Sequence, residues 1–371
     1  MNINQYTESF GNFTFEEMPY SEVDALVFCA LSYVELEKIV PKIEDQKEGI
    51  FLKDIDINKI AYGHFKVNIR DRKDLIIKML KSKRYQEVKL NYSRNILIPE
   101  KEIQFFAYTY FLPNDIHVIC FRGTDEALVG WKEDLNMSFE QKIPSQDEAV
   151  KYVEEVLKLG DYKFYITGHS KGGNLAFYST ISLYEKFDDQ IIEAINFDGP
   201  GFLDKEFISK AKDIKLYKKL IKIVPECSIV GMMMNNHKHL KIVNSNKFML
   251  LQHDPVNWSI TKKGTFDYKY ARNPISIVSE SALTEWLASI PINERKLLAD
   301  LIFYILGGAN ENLGKLTKKP LKFFKSSFKK YINLHHEDKV ILISHGKNLY
   351  HIIRKTVKEY KKNSHRHVHW F

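Results

Sequence analysis

Lys163-Phe-Tyr-Ile-Thr-Gly-His-Ser-Lys-Gly-Gly173 is the stretch on which the reading of this chain turns. A β-prone apolar run, Phe164 to Thr167, meets a Gly-rich turn. Asn174-Leu-Ala-Phe-Tyr-Ser-Thr-Ile-Ser-Leu-Tyr184 then reads as a buried helix. Gly168-His169-Ser170-Lys171-Gly172 matches G-x-S-x-G. A serine presented on a sharp strand-to-helix turn holds strained backbone angles. Only small residues two positions to either side let strand and helix approach. The first turn of the helix also leaves free N–H groups where negative charge develops on attack. A Gly-rich αβ turn without chemistry is the plainer reading. The partners found elsewhere in the chain favour a nucleophile.

Working outward, Ile116-His-Val-Ile-Cys-Phe121 reads as a buried strand running into Arg122-Gly123-Thr124-Asp125. Residues 126–146 look loop-like and 145–159 helical. Ile191 to Phe197 is a further strand, ending in Asp198-Gly-Pro-Gly201. Leu216 to Val224, Ser228 to Met232 and Leu240 to Val243 are candidate strands. Phe248 to Gln252 is a strand-like run leading into His253-Asp254-Pro255. Upstream, Ser21 to Ile39 reads as a helix, with Ser21 and Asp24 spaced as a capping box. Helices are expected around 56–62 and 72–82, and strands over 88–98 and 104–110. Strands alternating with helices predict an α/β fold with a mainly parallel central sheet covered on both faces.

Beyond about Pro274 the pattern turns helical. Helices are expected over 281–290, over 293–306 with a stop at Gly307-Gly308, and in basic amphipathic form over 320–334 and 348–362. Val340 to Ile343 reads as a short strand between the last two. The expected division is a domain over 1–275 and a helical, basic C-terminal extension over 276–371.

Composition bounds the function classes. The 371 residues are 44% hydrophobic and 27% charged, an ordinary globular balance. Cys29, Cys120 and Cys227 each lie in an apolar run, which predicts buried thiols rather than a disulfide framework or a zinc cluster. No signal-peptide core and no 18-residue apolar run is present, so the expected location is the cytoplasm. From Lys315 onward fifteen Lys and Arg face three Asp and Glu, leaving the rest of the chain at −4 within a total of +8. The basic character therefore belongs to the tail.

A serine nucleophile needs a base, an acid to orient the base, and an oxyanion hole. In α/β-hydrolases the chain order is Ser, then Asp or Glu, then His. His253 fits that order as the base, whereas His237 and His239 sit in a polar, solvent-facing loop. Asp198 lies at the carboxyl end of a strand, on the rim where such sheets place their sites. It serves equally well as a turn former, and both readings stand. Asp254, adjoining His253, is a poor candidate for the acid. For the oxyanion hole, one donor is the backbone N–H of Lys171. The other is expected at Gly123-Thr124, with Thr124 able to add its hydroxyl. Arg122 is expected to be structural. No metal and no cofactor is expected.

Phe121-Arg-Gly-Thr124, Trp131-Lys-Glu-Asp134-Leu135 and Gly168-His-Ser-Lys-Gly-Gly173 together resemble the class 3 lipase family of α/β-hydrolases, over about residues 100–260. A bacterial branch of that superfamily shares Asp198-Gly-Pro-Gly and Gln252-His-Asp-Pro255. The resemblance implies that Thr124 supplies the oxyanion donor and that about 126–140 forms a helical lid. It also places the lipase acid directly before Ile-Val-Pro, where this chain has Lys222. Either Asp198 replaces that acid or the triad is incomplete.

The implied activity is a serine hydrolase cleaving carboxylic esters, with a lipid or acyl ester as substrate. A hydrolase-fold binding protein without catalysis is the alternative. Ile229-Val-Gly-Met-Met-Met234 reads either as an acyl pocket or, more simply, as a buried core strand. In the tail, Phe323, Phe324, Phe328, Tyr331 and Ile332 form an apolar stripe. Such a stripe permits peripheral contact with an anionic membrane; packing on the hydrolase core is the stronger expectation. Nucleic acid is not an expected partner. His365, His367 and His369 read as a tail rather than a metal site.

Overall fold

Short apolar runs separated by turn residues form strands, and here they pair in the order in which they occur. The computed structural model describes every residue except 37, 61–68, 114, 125–127, 307–319 and 368–371. Its sheet comprises β1 (Ile50–Phe51), β2 (Lys89–Ile98), β3 (Ile103–Phe111), β4 (Ile116–Phe121), β5 (Lys163–His169), β6 (Ile191–Phe197), β7 (Leu220–Pro225), β8 (Leu240–Val243) and β9 (Tyr268–Lys269). The first four strands form an antiparallel meander; β4 to β8 are parallel; β9 returns antiparallel on β8. The helices are α1 (Ile3–Phe10), α2 (Glu22–Leu31), α3 (Ile69–Lys81), α4 (Lys83–Gln86), α5 (Leu128–Asn136), α6 (Pro144–Leu157) and α7 (Lys171–Phe187). They continue with α8 (Lys205–Lys210), α9 (Ile214–Lys219), α10 (Pro274–Ser289), α11 (Ile292–Leu306), α12 (Pro320–Ile332) and α13 (His336–His367).

Period-two alternation along the strands splits the apolar core between the two faces of the sheet. Val118, Cys120, Ile195, Phe197 and Ile223 join one cluster with α1, α2 and α3. Ile119, Phe121, Ile166, Ala194 and Leu220 join the other with α6 and α7. With both faces covered, the parallel strands can be apolar on both sides, as β4 is apart from His117. This is an α/β-hydrolase architecture. All three cysteines are buried and free.

Several expected elements differ. Residues 214–219 form α9, because Asp213 caps that helix by accepting from the N–H groups of Lys215 and Leu216; the strand begins only at Leu220. Residues 230–232 form a 3₁₀ turn rather than a strand, and so do 249–253. The 126–146 segment contains α5, and the helix from Ser21 ends at Leu31. The helix expected at 56–62 is a 3₁₀ turn at Ile57–Lys59, with 61–62 outside the described residues. Val340 to Ile343 is not a strand but part of α13. There the buried positions His345, Ile352 and Thr356 recur at helical spacing against α10, and that periodicity overrides a short apolar run. Trp286 of α10 donates to the His345 carbonyl at 3.0 Å. The expected stop at Gly307-Gly308 lies outside the described residues. Among the described residues no helix is long and apolar enough to cross a membrane.

Phe324, Phe328 and Ile332 of α12 are 60%, 63% and 52% exposed, so they do not pack on the core as expected. The Phe323 side chain lies outside the described residues.

The N-terminal helices are stapled by a fully buried ion pair. Asp24, which also completes the capping box with Ser21, accepts from Arg84 Nε and Nη2, each at 2.7 Å. Tyr85 donates to the same carboxylate at 2.6 Å, and Arg84 Nη1 donates to the Met18 carbonyl at 2.8 Å. Removing one partner strands the other charge in the core. Asp24→Ala is therefore expected to cost about 3–5 kcal/mol in urea unfolding; a loss under about 1 kcal/mol would mean the pair is not the staple described here.

Candidate active site

The turn between β5 and α7 carries Ser170 at φ +59° and ψ −130°. An L-residue holds those angles only where the surroundings enforce them. The surroundings are backbone. A Cβ on Gly168 would lie 2.2 Å from the Gly172 carbonyl, and a Cβ on Gly172 would lie 2.2 Å from the Phe121 oxygen. The end of β4 closes in from the other side, where a Cβ on Gly123 would meet Ser170 Cβ at 2.9 Å. Any larger residue at these points would push the serine off its perch.

Three sequence-distant side chains then meet. Ser170 Oγ is 3.0 Å from His253 Nε2, and His253 Nδ1 is 2.7 Å from Asp198 Oδ2. A carboxylate only accepts, so Nδ1 carries the proton and Nε2 is free to take the serine's. Asp198 is buried and, like Ser170, sits at positive φ, +51°. Its other oxygen accepts from Ser228 Oγ at 2.5 Å, and Gly231 leaves it room: a Cβ there would stand 2.3 Å from Oδ1. Asn196 accepts from the Gly199 N–H at 2.7 Å and so fixes the turn that carries Asp198. Gly231, within the 229–234 segment, thus makes room for the Asp198 carboxylate. The binding-protein alternative predicted no carboxylate at the His253 imidazole; Asp198 stands there at 2.7 Å.

His253 is positioned through its backbone as well. His169 Nε2–H donates to the His253 carbonyl at 2.7 Å, and His169 Nδ1 accepts from Tyr33 OH at 2.8 Å. Burial holds the His169 pKa well below the usual range, which keeps that ring neutral. Arg72, buried, lies over the Tyr33 ring and 3.5 Å from Asp254. Trp258 Nε1 donates to the Gln252 carbonyl just before the base.

Lys171 follows the nucleophile and opens α7. Its buried side chain reaches Glu133 Oε2 of α5 at 2.7 Å and the Gln104 carbonyl at 2.8 Å. Glu133 also accepts from the N–H groups of Gln104 and Ser145, at 3.1 and 3.0 Å. Thr124 is buried at the end of β4, packed against Gly130 of α5. Arg122 stacks on Phe106, 4.2 Å from the ring centroid. Burial pushes the nearby Asp134 carboxyl up to about 6, against Lys171, which lowers it.

The sequence pointed to Ser170, His253, Asp198, Thr124 and the Lys171 N–H; the structure joins Ser170, His253 and Asp198 by hydrogen bonds, with His253 reaching in from the 249–253 turn, and sets Thr124 just beyond β4 and Lys171 just beyond β5. The Lys171–Glu133 pair, Ser228, Gly231 and the Tyr33–His169 link were missed. One signal was available: a lysine inside a buried elbow requires a carboxylate, and Glu133 stands in the second motif.

Residues 79–304 match the model of the Mbeg1-like family. The chain belongs to the Mbeg1-like family. That family is lipase class 3-like, in keeping with the α/β-hydrolase architecture. No curated protein matches this Mbeg1-like chain. Among solved structures it is similar to a mutant form of MDLA from Penicillium cyclopium, at 12% identity and a TM-score of 0.41, covering 68% of this chain and 85% of that one. It is also similar to native Rhizomucor miehei lipase in its propeptide complex, at 15% identity and a TM-score of 0.38, covering 70% and 76%. A third similar structure is M37 lipase, at 19% identity and a TM-score of 0.39, covering 57% and 70%.

Asp134 gives a pH test. Its pKa is raised from 3.8 to about 6, so between those values the native state binds a proton that the unfolded chain releases. Its contribution to stability therefore falls as pH rises through that window. Asp134→Asn is expected to melt higher than wild type at pH 8, by about 3 kcal/mol at most. The gain should disappear at pH 4. A difference in Tm that stays constant from pH 4 to pH 8 would refute the assignment.

Proposed function

We propose that the chain is a serine hydrolase of carboxylic esters with lipid or acyl-ester substrates. The supporting observation is the relay Ser170 Oγ, His253 Nε2, His253 Nδ1 and Asp198 Oδ2, at 3.0 and 2.7 Å. In this reading His253 withdraws the Ser170 proton as the oxygen attacks the ester carbonyl. The Asp198 carboxylate stabilises the imidazolium that forms. The oxyanion meets the Lys171 N–H and Thr124, and His253 then protonates the leaving alcohol. Water repeats the sequence on the acyl-enzyme. α5 is fastened to the elbow by the Glu133–Lys171 ion pair.

A fluorophosphonate probe is expected to label wild type and not Ser170→Ala. Asp198→Asn should retain the fold and lose on the order of 10³–10⁴ in kcat on p-nitrophenyl esters, because Asn selects the wrong imidazole tautomer. Wild type that resists the probe and cleaves none of these esters would defeat the reading.

The second part of the proposal concerns access to lipid. Phe328 and Ile332 project from a lysine-rich helix into solvent. Apolar side chains among lysines fit the surface of an anionic bilayer. We therefore place the protein in the cytoplasm with peripheral membrane contact. Wild type should co-sediment with phosphatidylglycerol vesicles and not with phosphatidylcholine vesicles. Phe328→Glu combined with Ile332→Glu should weaken that binding about tenfold. Equal binding to both vesicle types would remove α12 as the membrane contact.

A further inference from the structure

A cavity whose lining does not include Ser170 lies on the α7 face of the sheet. It measures about 360 Å³, within the range of small-molecule sites, and opens between α7, α8, α9 and the 236–239 loop. Phe177, Ile181, Ile208 and Leu220 give it an apolar body. Tyr217 forms an aromatic wall, with His237 stacked on its ring at 4.7 Å and His239 edge-on at 5.7 Å. Among the described residues its charged lining is entirely basic: Lys212, Lys222 and Lys238.

Lys222 is the unusual member. It stands on β7, the strand position where lipases carry their acid, and is 2% exposed. Its ammonium has three donors. One goes to Asn235 Oδ1 at 3.0 Å, and among the described residues Lys222 makes no ion pair. Burying a charge with so little compensation is costly. Burial pushes Lys222 down to about 7, against Asp198 and Glu280, which raise it, while Arg272 adds to the depression. His237 faces it from the 236–239 loop. An arriving anion would supply the missing partner. The cavity around the amine would supply the apolar contact for whatever carries that anion.

We propose that this cavity is a binding site for an anionic amphiphile, a medium-chain carboxylate or phosphate monoester, whose head group pairs with Lys222 and whose chain lies between Phe177, Ile208 and Tyr217. The site goes beyond the Ser170 chemistry and does not depend on it. It does touch the same machinery. Asn196, whose side chain holds the Gly199 N–H, and Pro200 of the Asp198 turn both line the cavity.

The experiment is calorimetric titration of the full chain with decanoate, decyl phosphate and decanol, each below its micellar concentration. Decanoate or decyl phosphate should bind at one site, and decanol at least about tenfold more weakly. The tighter of the two anions identifies the head group. Lys222→Met should weaken anion binding about tenfold through charge, and Ala211→Trp should weaken it comparably by filling the cavity. If Lys222→Met does not fold, Ala211→Trp carries the test. Ser170→Ala, and wild type already labelled at Ser170, should bind as before. Decanol binding as tightly as the anions would overturn the proposal, and so would anion binding that ignores Ala211→Trp or vanishes on blocking Ser170. Because the readout is binding, an enzyme inactive on every ester would leave this result standing, and a failed titration would leave ester hydrolysis untouched.

Discussion

The left-handed backbone of Ser170 is the constraint to which the neighbouring parts of the molecule answer. A serine pays for φ near +59° only if strand, helix and the adjoining strand end leave it no other place. Gly168, Gly172 and Gly123 are the points where those three pieces of backbone touch. The parallel core over β4 to β7 brings them together, and apolar burial on both faces of the sheet holds them there. Ser170 itself is 8% exposed, so its hydroxyl stands at the bottom of a shielded rim.

The carboxylate that meets the imidazole leaves the sheet one strand away from the place the class 3 lipase resemblance implies. Asp198 leaves β6, not β7, and needs its own strained turn to point at His253. The apparatus for that turn is local: Asn196 holds Gly199, Ser228 holds the far carboxylate oxygen, and Gly231 clears the space. Lys222 on the neighbouring strand then faces the cavity rather than the imidazole. Its burial makes chemical sense only in a neighbourhood that lowers the cost of a charge, which Asp198 contributes from one side.

What the sequence revealed follows from how local the physics is. The elbow, the Ser21–Asp24 cap and the Phe-Arg-Gly-Thr strand end are each enforced by residues a few positions apart. Asp198 and His253 were found by rim logic and chain order. The Lys171–Glu133 pair spans 38 residues and depends on how α5 settles, which no short pattern encodes. Residues 249–253 and 230–232 are apolar enough to be strands, yet they turn because the polar partners they serve, His253 and Asp198, lie at fixed points. Along α13 a four-residue apolar run misled, because the helical period only shows over the twelve residues from His345 to Thr356. The exposed aromatics of α12 could not be foreseen, since an amphipathic stripe looks the same whether or not something covers it.

One feature of the N-terminal region bears on where this enzyme-like unit begins. The family match starts at residue 79, yet Tyr33 and Arg72, which grip His169 and the His253–Asp254 turn, precede it. The matched stretch includes the elbow and the base, while the side chains that steady them come from before it. The imidazole is therefore reined by residues that lie up to 220 positions before it in the chain, Tyr33 through His169 and Arg72 through Asp254.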